Sequence, residues 1–76
     1  MTNLNKFNEL FQLGYGHVGE NVEKINGKWV RKAHITVGTV AVPGTTVYFV
    51  ANEDGRTNWD PVPSIEEARD MALKLA

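Results

Sequence analysis

The chain has 76 residues, of which 42 % are hydrophobic, a formal net charge of −1 and no cysteine. This length allows one hydrophobic core, so we expect a single soluble domain over residues 1–76. The missing cysteine excludes disulfides, thiolate metal sites and thiol chemistry, and the near-neutral charge lacks the basic excess typical of sequence-independent nucleic-acid binding.

An amphipathic helix is predicted near the start of the chain. Leu4, Phe7, Leu10 and Phe11 follow helical spacing, so we expect a helix over about residues 3–13, with this stripe in the core and Gly14 ending it. No basic leader is present, and no stretch approaches the roughly 20 apolar residues that span a bilayer. We therefore expect a cytoplasmic protein without a membrane partner.

A β-hairpin is predicted next. Asn26-Gly27 is typical of a type I′ turn, because both residues tolerate a positive φ, and it predicts antiparallel strands at about 17–25 and 28–37. Residues alternate between the two faces of a strand. We expect the odd-numbered residues of the second strand to face inward.

Further strands are predicted after this hairpin. Val40-Ala41-Val42 is short and precedes Pro43-Gly44, which suits the centre of a type II turn. The nearly continuous apolar strand at 45–51 is a candidate central strand. Segment 56–60 could add a short edge strand before two prolines prevent regular pairing.

The last element is predicted to be a helix over about residues 65–75. Ser64-Ile65-Glu66-Glu67 has the form of a capping box, in which the Ser64 hydroxyl and the Glu67 carboxylate each accept a backbone N–H of the other residue. The two early glutamates and the late Lys74 suit the helix dipole.

These elements define an α+β fold class. We expect a small antiparallel sheet of three to four strands, with the N-terminal helix and the C-terminal helix packed on one face. The other face would then meet water or a partner through residues such as Lys32, His34, Thr36 and Tyr48.

Catalytic and cofactor-binding residues are not identified. Gly14 to Gly19 spell G-x-G-x-x-G, but a helix enters the motif and a strand leaves it, the reverse of a dinucleotide site. His17 and His34 lack metal-ligand spacing, and the single serine, Ser64, is explained by capping. We expect no catalytic residue, no cofactor and no metal, and hence no enzyme.

The loop carboxylates have a similarly simple interpretation. Glu53, Asp54 and Asp60 could form an acid–base pair or a cation site. Turn chemistry accounts for Asp54, and solvated loop charge accounts for the other two. We therefore favour turn and loop roles for these carboxylates over a catalytic pair or a cation site.

A basic patch with an aromatic residue is predicted around the hairpin. Lys24, Lys28, Arg31 and Lys32 surround Trp29. One interpretation is structural, with lysines that discourage edge-to-edge aggregation and Trp29 packed against the C-terminal helix. The other is contact with phosphates or with an acidic protein surface.

A second candidate surface lies in the loop that follows the sheet. Trp59, close to Arg56, is either a lid on the core or an exposed anchor, and both residue types are enriched at interfaces. The predicted partner-binding residues are Lys28, Trp29, Arg31, Lys32, Arg56 and Trp59.

The leading functional hypothesis is a small non-enzymatic protein-binding module, of the kind with which phages and mobile elements inhibit or modulate a host protein. The alternative is a nucleic-acid-binding domain that uses the basic hairpin around Trp29. A third hypothesis is a homodimer, because the apolar runs at 37–42 and 47–51 are long for so small a domain.

Overall fold

The computed structural model describes residues 3–57 and 60–75. The elements in chain order are α1 Asn3–Gln12, β1 Gly16–Ile25, β2 Lys28–Val37, β3 Val40–Ala41, β4 Val47–Ala51 and α2 Ile65–Lys74. The predicted α+β class is confirmed, with one antiparallel sheet of four strands between two terminal helices. In the described ranges, neither helix is both long and apolar enough to cross a membrane.

The central strand of the sheet is β2. Strand β1 pairs along one side of it, while β3 and β4 pair one after the other along the opposite side. The prediction that the strand at 45–51 is central is therefore wrong. Its apolar character has another cause, since Val47 and Val50 pack into separate clusters on the two faces of the sheet.

The hairpin between β1 and β2 has the predicted turn. Asn26 and Gly27 have φ angles of 53° and 75°, as a type I′ turn requires. The Asn26 side chain also donates from Nδ2 to the carbonyl oxygens of Leu73 at 3.1 Å and Ala72 at 3.4 Å. These carbonyls belong to the last turn of α2, where no intrahelical donor is available. The hairpin turn thus fixes the end of α2.

Strand β1 contains a β-bulge between Asn21 and Glu23. Asn21 lies opposite Arg31 and Glu23 lies opposite Val30, so Val22 is the extra residue and is 42 % exposed. A bulge bends and twists a strand, which makes an open edge a poorer template for pairing with another chain. The outer edge of β1 is protected in this way.

The two helices pack on opposite faces of the sheet. The cluster under α1 consists of Phe7, Ala33, Ile35 and Val47. The cluster under α2 consists of Val30, Val50, Ala68 and Ala72. Because Val30 and Ala33 are an odd number of positions apart in β2, their side chains lie on opposite faces. We call these the α1 face and the α2 face.

The prediction that one face carries both helices is consequently wrong. The reason is in β2 and β4, whose apolar residues fall on both faces, so that neither face can be left to water. Each helix covers only half of its face, α1 towards the end of β2 around Ile35 and α2 towards the hairpin turn around Val30. The two uncovered halves are diagonally opposed.

Thr45 joins β2 to the segment between β3 and β4. It is fully buried, and its Oγ1 accepts the backbone N–H of Ile35 at 3.0 Å and donates to the carbonyl of Val42 at 2.7 Å. The N–H of Val42 in turn donates to the carbonyl of Ile35 at 2.9 Å. A side chain thus replaces the ladder hydrogen bond that is missing where β3 gives way to β4.

The helix cap of α2 is as predicted on its serine side. The Ser64 Oγ accepts the N–H of Glu67 at 3.3 Å.

The predicted edge strand at 56–60 does not form in its described part, because residues 56, 57 and 60 are outside the strands. The outer side of β4 is instead paired at one point, where Tyr48 and Val62 exchange hydrogen bonds. Val62 can do so because it keeps its own N–H between two prolines.

Candidate functional site

The predicted hairpin patch is divided between the two faces. Trp29 and Arg31 lie on the α1 face, where Arg31 is opposite Phe49, which packs against the α1 cluster. Lys28 and Lys32 lie on the α2 face, since Lys28 is opposite Ile25, which packs against the α2 cluster. Lys24 is opposite Trp29 and also lies on the α1 face. The structure therefore does not bring the four basic residues and Trp29 together on one surface.

Trp29 is half-buried on the side of the sheet away from α2. The predicted packing of Trp29 against the C-terminal helix is therefore wrong. Its ring lies under Lys24 instead, with the Nζ 5.8 Å from the ring centroid. The same ammonium forms an ion pair with Glu53, and the hydrogen bond and charge of Lys24 hold the pKa of Glu53 below its ordinary value.

Acidic side chains alternate with the basic residues of the hairpin. Lys32 lies opposite Glu20 across β1 and β2, and Glu23 forms an ion pair with Arg69 of α2. A phosphate backbone is bound by a surface of continuous positive charge. The hairpin does not present one, so its geometry gives little support to the nucleic-acid alternative.

The predicted loop surface is described in part. Arg56 is exposed, its backbone N–H donates to Oδ1 of Asp54 at 3.0 Å, and its Nε lies 3.8 Å from Oδ2 of the same carboxylate. Trp59 lies outside the described residues, so its role as a lid or an anchor stays a prediction. The turn interpretation of Asp54 agrees with these contacts.

The two histidines lie on opposite faces of the sheet. His17 is opposite Ile35, on the α1 face, and His34 is opposite Val18, on the α2 face. Within residues 3–57 and 60–75, no three histidine or carboxylate side chains are grouped as metal ligands. Gly14, with a φ of 93°, ends α1 before β1 begins, which is the helix-to-strand order described for the glycine motif.

A group of exposed apolar side chains lies at the end of the sheet beside the C-terminus of α1. These side chains are between 44 % and 68 % exposed. We call them the α1-end patch, and they are Phe11, Leu13, Tyr15, Val37 and Val40.

Two tight turns build this patch from segments that are distant in sequence. After α1, the N–H of Tyr15 donates back to the carbonyl of Leu10 at 3.2 Å, and Leu13 and Tyr15 line one shallow depression. Across the sheet, Val37 pairs with Val40 around a two-residue turn. Tyr15 and Val37 flank the paired residues Gly16 and Thr36, which places them at the same end of the sheet.

The patch is anchored to the core through Phe11. Its ring stacks on that of Phe7 at a centroid distance of 5.9 Å and meets the His17 ring edge-on at 5.0 Å. The sequence predicts Phe11 in the buried stripe of α1, but the residue is 48 % exposed. The sequence feature that could have indicated this patch is the apolar run at 37–42, which the sequence analysis used only in support of a homodimer.

The open half of the α2 face forms a wide, shallow cleft of about 460 Å³. Lys32 and His34 lie in this cleft, as expected for an open sheet face, with Thr46 and Val18 beside them. Tyr48 is different, because it packs against the α2 cluster. Lys32 and His34 therefore lie on an open part of the sheet as predicted, whereas Tyr48 does not.

Comparison of the chain with protein-family models, curated proteins and solved structures finds no match.

Proposed function

We propose that the chain is a non-enzymatic protein-binding module whose docking surface is the α1-end patch. The exposure of five large apolar side chains at one end of the sheet is the observation that supports this proposal. A contiguous apolar patch on a small domain is typical of a protein interface, because its contact with water is unfavourable until a partner covers it.

The composition of the patch fits the centre of an interface. Tyr15 and Phe11 supply aromatic surface, and aromatic residues are enriched where interfaces are fully buried. Neither Val37 nor Val40 carries charge that would have to be desolvated.

A module of this type acts by occupying the surface of its partner. The consequence for the partner is inhibition or a change of its other interactions, which is the mode of action expected from the sequence. The hairpin residues Trp29 and Lys28 have a smaller role in this proposal, because they face opposite sides of the sheet and neither belongs to the patch.

Affinity capture with matched variants tests this proposal. The patch variant combines Leu13→Ser with Val40→Thr, and the control is Leu73→Ser, which changes a residue of α2 that is 59 % exposed and lies outside the patch. Exposed substitutions of this kind change stability by about 0.5 kcal/mol or less, so all three proteins should fold. Each tagged protein is incubated with bacterial lysate, once untreated and once treated with nuclease, and the bound proteins are identified by mass spectrometry.

The expected result is a stoichiometric partner that binds the wild-type protein and the control but not the patch variant. Capture of the same proteins by all three forms would contradict the proposed surface. Loss of all capture on nuclease treatment would favour the nucleic-acid alternative. Sedimentation velocity at micromolar concentration supplies the remaining comparison, since a wild-type dimer that the patch variant does not form would identify a second copy as the occupant.

A further inference from the structure

A small cleft lies on the half of the α1 face that α1 leaves open. Its volume is about 180 Å³, and it is separate from the α1-end patch. The residues that matter for its shape and charge are His17, Gly19, Arg31, Ala33, Phe49 and Ala51. The floor is made by small side chains of the three paired strands, which is why a depression forms there.

Arg31 extends across this cleft over Gly19. Its Nη2 lies 3.5 Å from the position that a Cβ on Gly19 would take. Gly19 belongs to β1 and lies opposite Ala33, so the guanidinium crosses from the central strand to the edge strand. The absence of a side chain at Gly19 gives it the room to do so.

The guanidinium lacks a counter-charge in the described part of the chain. The Nε of Arg31 is buried and has no hydrogen-bond partner there, and none of the ion pairs formed by residues 3–57 and 60–75 includes Arg31. Arg31 also lines the neighbouring depression that contains Glu53, but the ion pair of Glu53 is with Lys24. An unpaired buried donor is costly, whereas the Arg31 side chain as a whole is only partly buried. Its outer part therefore borders the open cleft.

We infer that this cleft binds a carboxylate carried on a short apolar stem. The carboxylate would accept N–H groups of the two terminal Nη atoms of Arg31, which can bind both carboxylate oxygens in parallel. The stem would lie against Ala33, Phe49 and Ala51. The volume is below the roughly 300 Å³ at which pockets for drug-sized ligands begin, so the occupant is small.

This chemistry is found both in a free short-chain acid and in a glutamate side chain of a bound protein. Titration of the ¹⁵N-labelled full chain, followed by amide chemical shifts, compares the two sources. The probes are butyrate and the capped peptide acetyl-Gly-Glu-Gly-amide, with butyramide and inorganic phosphate as controls. We expect saturable shifts around Gly19, Ala33 and Ala51 with millimolar affinity for a carboxylate probe, and the tighter of the two identifies the source.

Three variants make the assignment specific. Arg31→Met should weaken carboxylate binding by about tenfold or more, because the charge-assisted hydrogen bonds are lost. Gly19→Val keeps the arginine and fills the space beside it, so it should also abolish binding. Lys74→Met removes a cation of α2 on the opposite face and should leave binding unchanged. The amide spectrum of each variant reports whether it is folded.

Three results would overturn this inference. One is the absence of saturable shifts near Gly19 with either carboxylate. Another is equal binding of butyrate and butyramide, or of butyrate and phosphate, since the site would then not recognise a carboxylate on an apolar stem. The last is undiminished binding by folded Arg31→Met or Gly19→Val protein. The test does not involve the α1-end patch, so its failure would leave the proposed function unaffected.

Discussion

Replacing Thr45 by valine should destabilise the domain without changing its shape. Valine keeps the volume of the side chain but removes both hydrogen bonds of Oγ1, to the N–H of Ile35 and to the carbonyl of Val42. The N–H of Ile35 would be left buried without a partner, at a cost of about 1–3 kcal/mol, and the lost bond to Val42 adds about 0.5–1.5 kcal/mol. We expect the free energy of unfolding to fall by about 1.5–4.5 kcal/mol.

Serine at the same position provides the matched comparison. Thr45→Ser retains the hydroxyl and removes one buried methyl group, which costs about 1 kcal/mol. Urea unfolding followed by far-ultraviolet circular dichroism measures both variants. In thermal melts, 1 kcal/mol corresponds to about 4–8 °C for a domain of this size, so the two should be clearly separated. Valine that is as stabilising as serine, or more so, would refute the assigned role of the hydroxyl.

Three further predictions concern other contacts. Phe7→Ala should cost about 3–5 kcal/mol and leave little folded protein at 25 °C by amide NMR, because the ring fills the α1 cluster; a native-like spectrum would contradict this. Asn26→Asp keeps a residue that tolerates positive φ but places a carboxylate at the carbonyl end of α2, so it should lower stability at pH 7 by about 1–2 kcal/mol. Protonation removes that repulsion, so the deficit measured by urea unfolding should shrink as the pH falls, and a pH-independent deficit would be inconsistent. Lys24→Met should raise the pKa of Glu53 towards its ordinary value in a carboxyl-detected NMR titration, because the variant lacks the ammonium that stabilises the ionised carboxylate. The ion pair exists above this pKa and is lost below it. An unchanged pKa would argue against the pair.

Elements set by local chemistry could be predicted from the sequence. The turn at Asn26-Gly27 needs two residues with positive φ, and the start of α2 needs a hydroxyl at Ser64, so a few neighbouring residues determine each. The end of α1 at Gly14 follows the same logic, because a glycine adopts the required φ without strain. These features do not depend on the rest of the fold.

The placement of the helices could not be predicted with the same reasoning. Helix periodicity indicates that a face is apolar, but it does not indicate which side of the sheet that face will meet. The relevant signal was in β2, where Val30 is apolar on one face and Ile35 on the other. Because β2 has apolar residues on both faces, each face needs a helix packed on it. This requirement becomes visible only when the pattern of β2 is considered together with both helices.

The candidate surfaces show the same contrast. The hairpin patch was inferred from proximity along the chain, but strand alternation sends Arg31 and Lys32 to opposite faces. The α1-end patch joins Leu13 to Val40, which the sequence separates by the whole of β1 and β2. The bulge between Asn21 and Glu23 changes the facing of β1 and has no distinctive sequence signal.

The sheet separates the two hydrophobic clusters in a way that bears on how such a domain can diversify. Residues under α1 and residues under α2 lie on different sides of one layer of backbone, so substitutions in one cluster need little compensation in the other. Leu13 and Val40 are exposed and belong to neither cluster. A lineage could therefore vary these two residues while both clusters keep the chain folded.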